Sequence, residues 1–565
     1  MCKIIKIRGR NMIINANDFG ESKNFSIPFI EAVKSMKDGD TLSFENKEYH
    51  FYKDFSQSKI IHFTNTDSFK NPTKYFAMLI ENLNNITIEG NGAIFVIHGD
   101  ICSFGLIGCN NVKLNNFTIR YASPNCVELK VKEIKKKSIT YSIPESTLWY
   151  IDESKKNTVV FFEQSPFTKK NYWQFENDSN SHCSALHTED KKLVKRINHP
   201  ECAFAKMKSM KRLSATELEI TYKKKRKYNV GDTIALATNA NRNTCGIFFG
   251  ESKNVTSTNI TVNYMAGFGW LSQMCENMIF DKINFIADKD HIVTSFADLL
   301  HICGVKGDVK ITNSHFESAH DDAINIHGSF LRFKNKSDDY TAEFEFVHHQ
   351  QGGYTNFFKG DKCKFFYRSN LNELDGEYTV KEVKDDFDNK TCTVTFNEKL
   401  PDEITSRKHK QSNIVIENKS YCPNVEIANC EFTAIPTRDI LCTTSGKVKI
   451  HDNVFSYSLM ANIFISNDAF LWYESGPVRD VEIYSIKFIV GPSIYKRCPA
   501  VLIKPIPFMN RVNKNIHKNI TIRNNYFFVG RDVPIRAYGV NGLDIYGNYY
   551  NGSKKVITKA CKKVK

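Results

Sequence analysis

Two stretches of the chain, ADLLHICG at 297–304 and DDAINIHG at 321–328, superpose without a gap. Asp298 falls on Asp322, Leu300 on Ile324, Ile302 on Ile326 and Gly304 on Gly328. If successive repeats stack, carboxylates at one phase share a small surface, and Asp321 adds a third. Like charges so close raise the proton affinity of at least one member, which supplies an acid and a base at the same pH. Period two adds a constraint, because side chains alternate across a strand. Ile324 and Ile326 then face inward, while Asp321, Asn325 and His327 face outward. Asp322 would face inward in a regular strand, so it must precede the strand at a corner or bulge, and Asp298 likewise ahead of Leu300.

The repeat extends well beyond these acids. NNITIEGNGAIF, NNVKLNNFTI, KNVTSTNITV, GDVKITNSHF, PNVEIANCEF, GKVKIHDNVF, RDVEIYSIKF and KNITIRNNYF each lead from a polar turn into a short apolar alternation, most of them through an Asn and closing on Phe. Such units recur every 20 to 30 residues where uninterrupted, the mark of a right-handed parallel β-helix whose coils cannot bury an interior alone. A β-sandwich would need Asn-Gly hairpin turns between the runs, and these are scarce. Coils one strand spacing apart, about 4.7–4.9 Å, bring Asp298 and Asp322 into one column with Asp321 beside them. One coil later TRDILCTTSG sets Arg438 in the column of Asp321, where a cation can hold a carboxylate ionised or grip a sugar hydroxyl.

Near the start, a short amphipathic helix with Phe29, Ile30, Val33 and Met36 on one face suits a cap over the first coil. Two long stretches lack the Asn-Phe signature, alternate at period two and contain Gly-Asp turns. The chain therefore divides into a cap and first coils (1–125), an inserted antiparallel barrel or sandwich (126–240), central coils with the acids (241–330), a second insertion (331–412) and C-terminal coils (413–565). The second insertion begins directly after HDDAINIHG, so it should rise beside the acids and wall a flat helix flank into a pocket. The fold class is all-β.

Composition narrows the partners. The net charge of +15 is concentrated in Lys clumps such as VKEIKKKS and TYKKKRKY, which read as solvated hairpin faces with no nucleic-acid motif around them. No segment has the length of apolar residues a membrane span needs. The 16 Cys include no CxxC pair, and Cys245, Cys275, Cys303 and Cys442 sit in strand-like runs as small core residues. A zinc set of His320, Asp321 and His327 matches no common metal spacing. MCKIIKIRGRNMIINAND has no apolar stretch of a secretory leader.

ADLLHICGVKGDVKITNSHFESAHDDAINIHG, the preceding NRNTCGIFFGESKNVTSTNITVNYMAGFGWLSQMCEN, and the later TRDILCTTSGKVKIHDNVF and NDAFLWYESGPVRDVEI together resemble glycoside hydrolase family 110, exo-acting α-1,3-galactosidases. The resemblance implies inverting hydrolysis without metal or other cofactor, with Asp298 as the acid and Asp321 and Asp322 as the water-activating carboxylates. Inversion needs roughly 6.5–9.5 Å between carboxyl groups and retention about 5–5.5 Å, so coil stacking alone does not set the stereochemistry. Around the acids, Trp472 is expected to stack on galactose, and Arg242, Glu417, Glu474, Asn325 and His327 are candidate hydroxyl partners. The expected partner is a carbohydrate with a terminal α-galactoside, the expected setting is secreted or periplasmic if a leader has been removed, and a barrel edge or helix flank could pair two chains. Two other readings remain open: a polygalacturonase-like hydrolase of acidic polysaccharide, and a non-catalytic glycan-binding β-helix.

Overall fold

The computed structural model describes residues 12–177, 184–197, 201–237, 242–405, 412–489, 498–509, 512–513, 515–530 and 533–565; the segment read for a leader lies mostly outside them. The backbone winds into a parallel β-helix. Its stacking is plain in a single interior column, where Ile86, Val112, Val255, Met278, Val309, Val425, Val448, Val481, Ile520 and Leu543 follow one another in parallel register. Every member of that column is buried. The helix Ser26–Ser35 packs Phe29 and Ala32 against the first coils, with Ile30 and Val33 half-buried.

The recurrent Asn has a backbone reason. Asn85, Asn111, Asn254 and Asn277 sit at φ of 56°, 56°, 52° and 52°, in the left-handed region that Asn tolerates better than most residues. Their amides also bond from coil to coil: Asn111 Nδ2 donates to Asn85 Oδ1 at 2.8 Å and Asn277 Nδ2 to Asn254 Oδ1 at 2.9 Å.

The recurrent Phe forms a second column. Phe285, Phe316, Phe432, Phe455, Phe488, Phe527 and Tyr550 stack ring on ring, with centroids between 4.7 and 5.3 Å apart. Phe432 is wholly buried between two such neighbours. Phe432→Ala should therefore destabilise the coils by about 3–5 kcal/mol, as for other buried aromatic truncations. Phe432→Leu should cost less, and a comparison of urea unfolding midpoints measures both.

Each insertion leaves the helix and returns without breaking the ladder. The strand Asn110–Tyr121 pairs directly with Lys253–Val262, although a seven-stranded antiparallel sheet between Cys126 and Ala237 and a three-stranded sheet intervene. Likewise Leu300–Thr312 pairs with Asn424–Ala428 across the second insertion. That insertion is a closed barrel. Its ring runs Ile324–Lys336, Thr341–Glu345, Thr391–Phe396, Tyr378–Asp386, Lys362–Tyr367, Ile414–Asn418 and back to Ile324–Lys336. One strand, Ile324–Lys336, is thus a helix rung at its start and a barrel stave at its end. Among the described residues no helix is long and apolar enough to cross a membrane.

Candidate active site

The two rungs that carry the acids are in the register their sequences suggest, with Leu300 opposite Ile324 and Ile302 opposite Ile326. Asp298 and Asp322 both lie in irregular backbone just before their strands, and the Leu299 amide donates to the Asp322 carbonyl at 3.1 Å. All three acids line one cavity of about 320 Å³. Asn65, Arg196, Arg242, Asn325, Arg438 and Glu474 share its wall, and Leu471, Trp472 and Ile506 form an apolar side. A larger cavity, of about 960 Å³, is lined by a different set that mixes signs, including His50, Glu128, Lys130, Asp288 and His291. In the smaller one several buried carboxylates converge with fixed partners, which makes it the candidate site.

Those partners differ for each acid. Asp321 Oδ2 accepts from Arg242 Nη2 at 2.6 Å and from Arg196 Nη2 at 2.8 Å. Burial pushes its proton affinity up, but Arg196, Arg242 and Arg438 outweigh burial and hold the carboxyl far below the ordinary range. Asp322 Oδ2 accepts from Arg438 Nη2 at 2.5 Å, and its Oδ1 from the Arg438 amide at 3.3 Å. Burial dominates there, with Asp321 and Asp298 adding to it against Arg438, and Asp322 is raised to about 7. Among the described residues no arginine forms an ion pair with Asp298; its Oδ2 lies 2.8 Å from His301 Nδ1. Burial first, then the Asp321 charge, raises it to about 7.

The identity of these partners sorts the protons. A guanidinium only donates, so Asp321 and Asp322 must present bare oxygens to their arginines. An imidazole nitrogen can take either role. Asp298 is therefore the member of the set that can keep a proton without losing its hydrogen bond.

Some placements correct the sequence reading. The ladder pairs Ile324 with Ile440, and the Ala323 amide donates to the Arg438 carbonyl, so Arg438 stands level with Asp322 rather than Asp321. Glu417 is not on the cavity wall: it is wholly buried on a barrel stave opposite Phe330 and faces Cys422 and Ser475. His327 also lies behind the wall, against His301. His320 turns to His187, with the nitrogens 2.9 Å apart, so it forms no group with His327. Trp472 is at the mouth, 37% exposed, with its ring tilted by 34° against His348 of the second insertion. Glu474 reaches the cavity because Glu474–Ser475 pairs antiparallel with Gly328 and Ser329. A Cβ on Gly328 would meet Ser475 Oγ at 2.6 Å, so a larger residue there would oblige the Ser475 hydroxyl to turn away. Burial raises the Glu474 carboxyl to about 8, and Asn65 Nδ2 donates to it at 3.3 Å.

Arg196 and Asn65 have no signal in the linear repeat. Arg196 belongs to the hairpin Ser184–His187 and Val194–Ile197 of the first insertion, which folds over the coil through Ala185 and Val194 against Ala434 and through Lys191 on Glu317. Arg196 Nε donates to the His320 carbonyl at 2.6 Å, which aims the guanidinium at Asp321.

Comparison with known proteins agrees with this geometry. Alpha-1,3-galactosidase A of Bacteroides thetaiotaomicron is 31% identical over 530 residues, covering 90% of this chain and 85% of that protein. The chain belongs to glycoside hydrolase family 110, the α-1,3-galactosidases. Family members of both named types are similar to it: alpha-1,3-galactosidase A of Streptomyces avermitilis is 28% identical over 95% of this chain and 87% of that protein, and alpha-1,3-galactosidase B of Phocaeicola vulgatus 28% over 97% and 89%. Residues 341–407 match GLAA-B beta-barrel domain II, and the strands described within that range are staves of the closed barrel. Among solved structures, the Yersinia enterocolitica family 28 exopolygalacturonase is similar with a TM-score of 0.44 and 10% identity, covering 98% of this chain and 78% of that one.

Proposed function

We propose that this chain is an exo-acting α-1,3-galactosidase that removes terminal α-1,3-linked galactose from glycans, of the branched blood group B type, the linear type or both, with inversion at C1. The observation that carries the reading is the division of labour among the acids: Asp298 on an imidazole, Asp321 and Asp322 on arginines. Asp298 protonates the glycosidic oxygen. Asp322 takes a proton from the water attacking the opposite face of C1, as the ionised acid whose proton affinity is high enough to accept one. Asp321 is held too strongly by two guanidiniums to be a good base; it fixes Arg196 and Arg242 and keeps the proton on Asp298 by its charge.

A cavity of about 320 Å³ with a mouth suits a single terminal sugar. Arg438 Nε and Asn325 Oδ1 are buried at its wall without a protein partner, and each suits a sugar hydroxyl. The three arginines in the wall each face a carboxylate and are outnumbered by Asp298, Asp321, Asp322, Asp468 and Glu474, which favours a neutral sugar over a uronate.

The test is hydrolysis of galactobioses linked α-1,3, α-1,4 and α-1,6, followed by proton NMR. The expected result is cleavage of the α-1,3 isomer well ahead of the others, with β-galactose as the first product. Initial α-galactose would reject inversion, and release of uronic acid from oligogalacturonide without any galactosidase activity would reject the substrate.

A further inference from the structure

Beside Asp298 two histidines extend its hydrogen bond into a chain: His301 borders the cavity, and His327 lies behind it. His301 Nδ1 lies 2.8 Å from Asp298 Oδ2, His301 Nε2 lies 2.8 Å from His327 Nε2, and His327 Nδ1 lies 2.8 Å from the Gly328 carbonyl. Both rings are buried. A carbonyl only accepts, so His327 Nδ1 carries a hydrogen. Each remaining link holds one proton, and three arrangements satisfy all of them without an imidazolate; one makes His301 the imidazolium, which its burial and the nearby Arg242 disfavour, so two remain. With His327 neutral, its Nε2 accepts from His301 Nε2–H, His301 Nδ1 is bare, and Asp298 must donate through Oδ2, which turns its proton away from the cavity. With His327 an imidazolium, its Nε2–H donates to His301, His301 Nδ1–H donates to Asp298 Oδ2, and the acid's own proton is left to Oδ1.

We propose that His301 and His327 are positioning residues that form a two-imidazole relay, in which the charge on His327 decides which oxygen of Asp298 bears the proton delivered to the leaving group. The inference rests on Asp298 being the acid. In the productive arrangement the Asp298 Oδ1–H bond breaks as the glycosidic C–O bond breaks, and the leaving oxygen takes that proton with the electron pair of the C–O bond. The carboxylate then takes the Nδ1 proton of His301, and His301 Nε2 takes the Nε2 proton of His327, which becomes neutral. A proton from cavity water at Oδ1 drives both transfers back. It balances the proton that the base took from the attacking water, so hydrolysis is proton-neutral overall.

The groups around the relay suit it. Facing His327 are Cys303 and His301 from one rung, Ser329 and the Gly328 carbonyl from its own, and Glu474 Oε1 at 3.5 Å from the short crossing strand; Tyr354 of the second insertion closes over Cys303 and Ser329. Arg242 and Asp321 act on His301 from the cavity side. Burial lowers the proton affinity of His327, but Cys303, the Gly328 carbonyl and Asp298 outweigh it and leave the ring above its ordinary value. Burial, His327 and Arg242 hold His301 well below its own, so the positive charge belongs on His327.

The experiment compares α-1,3-galactobiose with 2,4-dinitrophenyl α-galactoside, whose leaving group departs without a proton. His327→Phe removes the donor and should slow the disaccharide by about 100-fold, the lower end of general-acid effects, while slowing the aryl substrate less than about fivefold. His327→Gln places an amide N–H near the former Nε2–H and cannot titrate. It should recover at least tenfold of that loss and move the alkaline limb of kcat/KM upward. Equal slowing of both substrates by His327→Phe, no slowing of either, or an unchanged alkaline limb in His327→Gln would each overturn the relay. Asp298→Asn is measured alongside: if it slows both substrates equally, the acid assignment itself fails, whereas a selective loss there with unselective His327 variants removes only the relay.

Discussion

Asp298→Asn should lower kcat/KM on α-1,3-galactobiose by about 10³–10⁴-fold, the upper range for loss of a positioned general acid. The substitution is nearly isosteric, and an amide can still meet His301 Nδ1 at the 2.8 Å now spanned by Oδ2. The fold and the cavity should therefore survive, and binding of galactose by the variant, followed by calorimetry, should stay within a few fold. The pH profile supplies a second reading. The raised proton affinity of Asp298, to about 7, comes first from burial and then from Asp321, with Arg242, Arg438 and Arg196 opposing. An acid works while protonated, so wild-type kcat/KM should fall as pH rises through that region. Asp322, raised to about 7 and coupled to Asp298, works while ionised and gives the acid limb, so the bell should be narrow. In Asp298→Asn the alkaline limb should disappear from the residual activity. Persistence of that limb, or a loss smaller than tenfold, would refute the acid role.

Much of this arrangement was legible in the sequence because a solenoid makes spatial neighbours out of residues at equal phase. The pairing of Leu300 with Ile324 and Ile302 with Ile326 follows from aligning two octapeptides, and the corner position of Asp298 and Asp322 follows from the phase of those apolar residues. The Phe column is legible for the same reason: each repeat ends one strand at the same place. Phase is less reliable at corners, where backbone leaves the period-two pattern, and Arg438 was displaced there by one residue. Contacts that do not repeat were not legible at all. Arg196 arrives from a hairpin more than a hundred residues before the acid it holds, and no periodicity links the two. Glu417 illustrates the converse. A candidate hydroxyl partner in the sequence, it shares a stave face with Val415, opposite Ile414 and Ile416 of the barrel core, and is buried beside Cys422 and Ser475, where burial raises its carboxyl. Phase turns His327 out of the β-helix, but the Glu474–Ser475 strand covers that face, and the ring meets His301 instead of the cavity.

The insertions convert a common scaffold into a specific site. A bare β-helix flank presents acids on an open face, suited to long polymers. Here the first insertion adds Arg196 and the second adds His348 under Trp472, so the face becomes a cavity with an apolar lip. The charge balance inside follows: the three arginines are taken by Asp321 and Asp322, while Asp298 meets an imidazole instead.

Asp322→Asn should lower turnover of α-1,3-galactobiose by about 10³-fold, because the attacking water then has no base. Asparagine keeps an oxygen toward Arg438 Nη2, now 2.5 Å from the carboxylate, so the local structure should hold. What is lost is the ability to accept a proton. Azide needs no deprotonation, so adding it should restore a large part of the rate on 2,4-dinitrophenyl α-galactoside, and the product should be β-galactosyl azide, formed from the face that water normally uses. The same treatment should do nothing for Asp298→Asn, which lacks a proton donor rather than an acceptor. Asp321→Asn should differ from both: it leaves Arg196 and Arg242 facing a neutral amide and removes the charge that keeps Asp298 protonated. Azide should not rescue it. If azide rescued Asp321→Asn and left Asp322→Asn unchanged, the two neighbouring acids would have to exchange roles, with the strongly paired carboxylate as base. Formation of α-galactosyl azide in either variant would place the nucleophile on the wrong face for an inverting displacement.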